Sequence, residues 1–268
     1  MPWRKAAVSC ILTAAALFVA GWAAREAGAP VWAGSSAGAS GGQVTWRGRE
    51  LFLPAAGQPS RPLRVPYPIL QVLPLSLPGR GELLLVLTAE NPSGRQPRRS
   101  HLYYLDPHRP GSLVPLSPEP TYNFWAASAG DVDGDGRQEL GLCTFSRTVR
   151  DPHYARRFFV YGWTPEGDLY PRWRGSRLCR PYLWAQLADV NGDGRAELVS
   201  VERGLGGGEL LVAYAWNQFG FWGLAESAEY PRLEVLAVAA DGVRVRAGAA
   251  PKSRQFTLKL GPTGWVEQ

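Results

Sequence analysis

Cysteine, histidine and lysine are all scarce in this chain, and each scarcity removes a class of chemistry. The three cysteines, Cys10, Cys143 and Cys179, form no C-x-x-C pair, so a thiolate zinc site is unsupported. A single Cys143–Cys179 disulfide, as an exported protein allows, and two free buried thiols both stay open. His101, His108 and His153 fall in no H-x-x-H or H-E-x-x-H arrangement, which argues against a histidine-held zinc hydrolase. No G-x-S-x-G nucleophile elbow occurs, and no lysine follows a phosphate-loop pattern. Gly204-Leu-Gly-Gly-Gly208 lies between two strand-like segments with no helix after it, so it reads as a hairpin connection. Of 29 basic residues only Lys5, Lys252 and Lys259 are lysines. The arginine runs, Arg98-Arg99 and Arg156-Arg157, are short and read as solvated strand ends, and no nucleic-acid module signature is present. The net charge of +6 reads first as composition bias, with an anionic partner as the sharper alternative.

Helical stretches rich in Ala, Leu, Glu and Lys are also missing beyond the N-terminus. What is abundant instead is Gly (31), Pro (23) and Trp (11), a composition that favours short strands and tight turns. At the N-terminus, Arg4 and Lys5 precede an apolar run over residues 6–24, a charged region followed by a hydrophobic one, as in an export signal. Residues 1–33 are therefore expected to be a hydrophobic signal or anchor helix. It is either cleaved after Ala33 or retained as a membrane anchor through residues 6–24, with the remainder exported in both cases. Residues 34–42, rich in Gly, Ser and Ala, are expected to be a flexible linker.

The sequence then offers two near-copies of one acidic loop, 58 residues apart: Asp131-Val-Asp-Gly-Asp-Gly-Arg-Gln-Glu139 and Asp189-Val-Asn-Gly-Asp-Gly-Arg-Ala-Glu197. Each places oxygen side chains at positions 1, 3, 5 and 9, with Gly at 4 and 6. Alternating oxygen donors on a tight glycine turn suit a hard divalent cation. The expected ligands are Asp131, Asp133, Asp135, the Arg137 carbonyl and Glu139 in the first loop. In the second they are Asp189, Asn191, Asp193, the Arg195 carbonyl and Glu197. All-oxygen ligation selects Ca²⁺, giving two calcium sites. An EF-hand would need Glu at position 12, where Leu142 and Ser200 stand, and helices on both flanks.

The loops belong to a longer repeat. Leu63-Arg-Val-Pro-Tyr67 aligns with Leu178-Cys-Arg-Pro-Tyr182, and without a gap Gly79-Arg80 and Glu82 align with Gly194-Arg195 and Glu197. Glu139 sits midway, giving a period of about 57 residues. A weaker copy has Ala240-Asp241-Gly242 at the loop position. Four short strands per period predict a β-propeller-like array of about four four-stranded blades over residues 43–268. The repeats lie near 64–120, 121–178, 179–229 and 230–268. A fifth part-blade from residues 43–68 stays open, as does ring closure by pairing of residues 43–63 with the last blade. The first copy carries Pro74, Ser76 and Pro78 in place of ligands and is expected to be a hairpin without metal.

The loop Asp-x-(Asp/Asn)-Gly-Asp-Gly-Arg-x-Glu-Leu, entered and left by strands, resembles the FG-GAP/VCBS repeat family. It is close at Asp131–Leu140 and Asp189–Leu198, partial at Glu82 and poor near Asp241. The resemblance implies an integrin α-like β-propeller with calcium between the first two strands of a blade, in proteins that are often extracellular and serve in adhesion or scaffolding. The expected function is thus an exported, calcium-binding, non-catalytic binding module. Its partner would be a protein, glycan or anionic surface polymer. The alternative is a secreted propeller enzyme, a lyase or hydrolase acting on polysaccharide. Against the enzyme, the carboxylates left over, Glu202, Glu209 and Asp168, carry no catalytic mark. The aromatic segment Trp216–Trp222 reads as blade packing, or else as an exposed rim for sugar or protein.

Overall fold

The computed structural model describes residues 33–37, 43–53, 62–77, 79–92, 98–109, 111, 113–116, 123–149, 151–175, 178–249 and 251–268. Residues 1–32 of the expected N-terminal helix, and residues 38–42 of the expected linker, lie outside the described residues; Ala33 opens a strand instead. Among the described residues, twenty strands form five antiparallel sheets of four, each a meander in chain order. Sheet 1 comprises β1 (Ala33–Ala37), β2 (Gln43–Arg47), β3 (Glu50–Phe52) and β4 (Leu63–Arg64). Sheet 2 comprises β5 (Ile69–Leu77), β6 (Gly81–Asn91), β7 (Arg98–Leu105) and β8 (Val114–Pro115). Sheet 3 comprises β9 (Phe124–Gly130), β10 (Glu139–Ser146), β11 (Ala155–Trp163) and β12 (Leu169–Arg174). Sheet 4 comprises β13 (Tyr182–Ala188), β14 (Glu197–Arg203), β15 (Glu209–Trp216) and β16 (Phe221–Glu226). Sheet 5 comprises β17 (Leu233–Ala239), β18 (Gly242–Ala247), β19 (Arg254–Gly261) and β20 (Gly264–Glu267).

The count of about four blades is thereby corrected to five sheets. Residues 43–63 do not pair with the last sheet; they build sheet 1 with β1, which runs through the first residues of the expected linker. The physical reason is local: Gly48 at φ 60° closes a tight turn between β2 and β3, and Val44, Trp46 and Leu51 gain burial against sheet 2.

Four apolar clusters join consecutive sheets. Val44, Trp46 and Leu51 meet Ile69, Val86 and Tyr103 between sheets 1 and 2. Leu75, Leu85 and Leu87 meet Leu140, Leu142 and Phe159 between sheets 2 and 3. Cys143, Phe158 and Val160 meet Leu187, Leu198 and Val212 between sheets 3 and 4. Val199, Val201 and Leu211 meet Val235, Val243 and Val245 between sheets 4 and 5. A sheet covered on both faces needs apolar residues at successive positions, which is why β10 is buried nearly throughout. The two terminal sheets differ. In β18, Val243 and Val245 are buried while Arg244 and Arg246 take the other face, beside Lys259 of β19. In β2, Val44 and Trp46 are buried, and Thr45 and Arg47 alternate with them.

Polar contacts fix how the first strands sit. The Gln71 side chain of β5 donates to the Ala127 carbonyl and accepts from the Ala127 N–H, both at 2.8 Å. Ser128 Oγ of β9 accepts from Leu187 N–H of β13 at 2.9 Å. The hairpin turns from β5 to β6, β9 to β10, β13 to β14 and β17 to β18 consequently fall along one rim. Cys143 is buried and Cys179 exposed, both as free thiols, which closes the disulfide alternative.

Candidate metal-binding loops

Strands, not helices, enter and leave both acidic loops: β9 and β10 flank Asp131–Gln138, and β13 and β14 flank Asp189–Ala196. The two loops share their carboxylate-to-backbone bonds. Both Asp131 oxygens accept backbone N–H groups, from Gly134 at 2.7 Å and Gly136 at 2.7 Å. Asp189 accepts likewise from Gly192 at 2.7 Å and Gly194 at 3.0 Å. Those glycines hold φ of 78°, 83°, 78° and 88°, a left-handed backbone that side chains disfavour. Asp135 Oδ1 accepts from Arg137 N–H, and Asp193 Oδ1 from Arg195 N–H, each at 2.8 Å. Glu139 and Glu197, first residues of their outgoing strands, are buried and reach back to accept from Val132 N–H at 2.9 Å and Val190 N–H at 3.2 Å.

The loops also touch one another. Ala196 N–H donates to the Asp131 carbonyl at 2.6 Å, and the Arg195 side chain lies over Gly134. The arginines at the shared loop position have separate roles. Arg80 binds the Tyr104 hydroxyl and the Glu166 carbonyl of the next sheet, Arg195 covers Gly134, and Arg137 is exposed. The first copy forms a hairpin in which Leu77 pairs with Gly81, and the last is a two-residue turn at Ala240–Asp241.

Of the first set, Asp131, Asp133 and Glu139 bring one oxygen each within 4.8 Å of one another. Asp135 stands outside that group. Asp133 Oδ1 is buried and has no hydrogen-bond partner, a spare acceptor among carboxylates that suits a hard cation. In the second loop the Asn191 amide does the gathering. Its Nδ2 donates to Asp193 Oδ2 at 3.1 Å and Glu197 Oε1 at 3.2 Å, while its Oδ1 accepts from Asp193 N–H at 2.9 Å. Both buried glutamates are hard to ionise. Burial pushes Glu197 up to about 7, the Val190 N–H opposes this, and Asp193 and Asp189 add to it. Burial also raises Glu139, against the pull of the Val132 N–H and Arg172.

Arg172, in β12, is the participant that sequence reading missed. Its guanidinium donates to Glu139 Oε1 and to Asp133 Oδ2, and the Trp216 ring of sheet 4 lies 5.4 Å from its central carbon. It stands 33 residues beyond Glu139 and in no motif, so only strand pairing reveals it. The same applies to Glu229. Its exposed carboxylate accepts from Gly206 N–H at 3.1 Å and Gly208 N–H at 2.6 Å, so the glycine-rich segment is a β14–β15 hairpin wrapped on a carboxylate from beyond β16.

Two of the three leftover carboxylates, those of Glu202 and Glu209, serve structure. Glu202 is fully buried and accepts from Tyr214 hydroxyl at 2.6 Å, Ser200 hydroxyl at 2.7 Å and Arg180 N–H at 3.1 Å. Glu209 accepts from Leu233 N–H at 2.7 Å. At Asp168 the backbone closes the turn: its N–H donates to Thr164 Oγ1 and its carbonyl accepts from Thr164 N–H. The aromatic segment divides: Trp216 and Phe221 pack edge-to-face at 5.2 Å, whereas Phe219 and Trp222 are exposed. Trp125 and Trp184 are buried, as blade packing requires. No family model and no curated protein matches this chain.

Proposed function

We propose that this chain is an exported, calcium-binding, propeller-like repeat protein that works as a non-catalytic binding module. The observation that carries the reading is the duplication of one loop geometry on adjacent sheets. Two glycine-turned loops share one backbone wiring and lie in contact; the first gathers oxygens from positions 1, 3 and 9, and in the second the Asn191 amide links positions 3, 5 and 9. When bound, the ion would supply positive charge to carboxylates that otherwise crowd one another. Asp131, Asp133, Asp135, the Arg137 carbonyl and Glu139 would hold one ion; Asp189, Asn191, Asp193, the Arg195 carbonyl and Glu197 would hold the other. Rotating the Asn191 amide would present its oxygen to that ion. Metal binding would stiffen the rim, and the Ala196–Asp131 bond would couple the two loops.

The binding role draws support from two exposed aromatics, Phe219 in the β15–β16 turn and Trp222 of β16, which suit stacking on a glycan or a protein loop. The polar clusters built around Glu202 and Glu209 are committed to fold contacts, which favours binding over turnover. Differential scanning calorimetry of metal-stripped protein, with and without Ca²⁺, tests the metal. Melting is expected to rise with Ca²⁺, and Asp133→Ala combined with Asn191→Ala removes most of that rise. A melting curve indifferent to Ca²⁺ overturns the metal reading. Incubation with acidic and neutral glycans tests the binding role, and release of reducing or unsaturated ends would overturn it in favour of an enzyme.

A further inference from the structure

We propose that Arg172 is a resident cation of the first loop, so that the two loops handle Ca²⁺ unequally: the second loop fills first, and the first fills only as Arg172 withdraws. This rests on the calcium reading above. The guanidinium fork takes one oxygen from loop position 3 (Asp133) and one from position 9 (Glu139), two of the three residues that converge there. A metal ion and a guanidinium cannot share those oxygens without mutual repulsion. The fork is held from behind by the Trp216 ring.

Strand pairing shows why the second loop lacks such a group. In sheet 3, Val160 pairs with Trp173 and Tyr161 with Pro171, so Arg172 is the extra residue of a bulge in β12. In sheet 4, Ala213 pairs with Ala225 and Tyr214 with Gly223, and the extra residue is Leu224. The matching bulge of the next sheet thus carries an exposed apolar side chain in place of a guanidinium. There the oxygens of Asp193 and Glu197 are bridged by the neutral Asn191 amide. Displacing the amide gives up two hydrogen bonds from a neutral donor; displacing Arg172 gives up two in which donor and acceptor are both charged. The first loop has four carboxylates against three in the second, and Arg172 cancels that difference in charge.

Isothermal titration of Ca²⁺ into the metal-stripped full chain tests this. The wild type is expected to show one tighter site, lost in Asp193→Ala, and a second at least about tenfold weaker. Arg172→Leu is expected to tighten the weaker site until the two are comparable. The reciprocal change, Leu224→Arg, sits on an exposed position and is expected to weaken the tighter site by about tenfold. Two equal sites in the wild type, or affinities unmoved by both Arg172→Leu and Leu224→Arg, overturn the proposal while leaving calcium binding intact. Absence of Ca²⁺ binding in the wild type and in Arg172→Leu overturns the calcium reading beneath it.

Discussion

Glu197 gives the sharpest pH test. Its carboxyl lies almost wholly buried where the second loop meets β14, and burial lifts its pKa from an ordinary 4.5 to about 7. A carboxyl that is harder to ionise when folded holds its proton longer in the native state than in the unfolded chain. Below pH 4.5 both states are protonated and the group contributes nothing. Between 4.5 and about 7 the native state binds the extra proton, so stability falls as pH rises; above about 7 both states are ionised and the full penalty applies. At about 1.4 kcal/mol for each pH unit the total is about 3 kcal/mol. For a fold of this size that is about 6–12 °C in melting temperature. The assay is a series of thermal melts of metal-stripped protein from pH 4.5 to 8, repeated with Glu197→Gln and with saturating Ca²⁺. The variant is expected to flatten this component of the slope. Ca²⁺ favours the ionised carboxylate and should remove the penalty at neutral pH. A wild-type slope identical to that of Glu197→Gln would refute the reasoning.

Two further outcomes follow from the packing. The buried Arg157 guanidinium is held by Asp151 Oδ2 at 2.8 Å and by the Ser146 carbonyl at 3.1 Å, so Asp151→Ala should cost about 2–3 kcal/mol, below the figure for a wholly buried pair because Asp151 is partly solvated. Adding Arg157→Met should recover part of that loss in chemical denaturation, and a strictly additive double variant would contradict the pairing. Gly130→Ala would set a Cβ 2.6 Å from Ala196 Cβ and so push the two loops apart; a loss of about 1–3 kcal/mol is expected, and an unchanged melt would show that the contact yields.

The parts of this protein legible in its sequence are those written in neighbouring residues. The spacing of Asp131, Asp133 and Glu139 carries the loop, because the backbone turn and the reach of a strand-initial glutamate are both local. The unbroken apolar runs in β6 and β10 signal sheets covered on both faces, and the alternation in β18 signals one covered once. Sheet 1 was harder to read: β3 and β4 have three and two residues, too few to show a period, and β1 lies in a Gly/Ser/Ala tract with no apolar signature. Arg172 was illegible for another reason. It reaches Asp133 only because β12 returns beside the loop two strands later, and a bulge turns one residue of that strand toward it. Glu229 reaches the glycine hairpin through a similar return of the chain.

Sheets 1 and 5 bury apolar residues on one face only among the residues of β2 and β18. An interior unit offers an oily surface to each neighbour, so an additional copy inserted in the middle would find ready mates. A copy appended after β20 would have to press on Arg244, Arg246 and Lys259 and strip their hydration, with Val266 opposite Lys259 as the exposed apolar contact in return. The charged outer face of sheet 5 therefore opposes the stacking of a further sheet there.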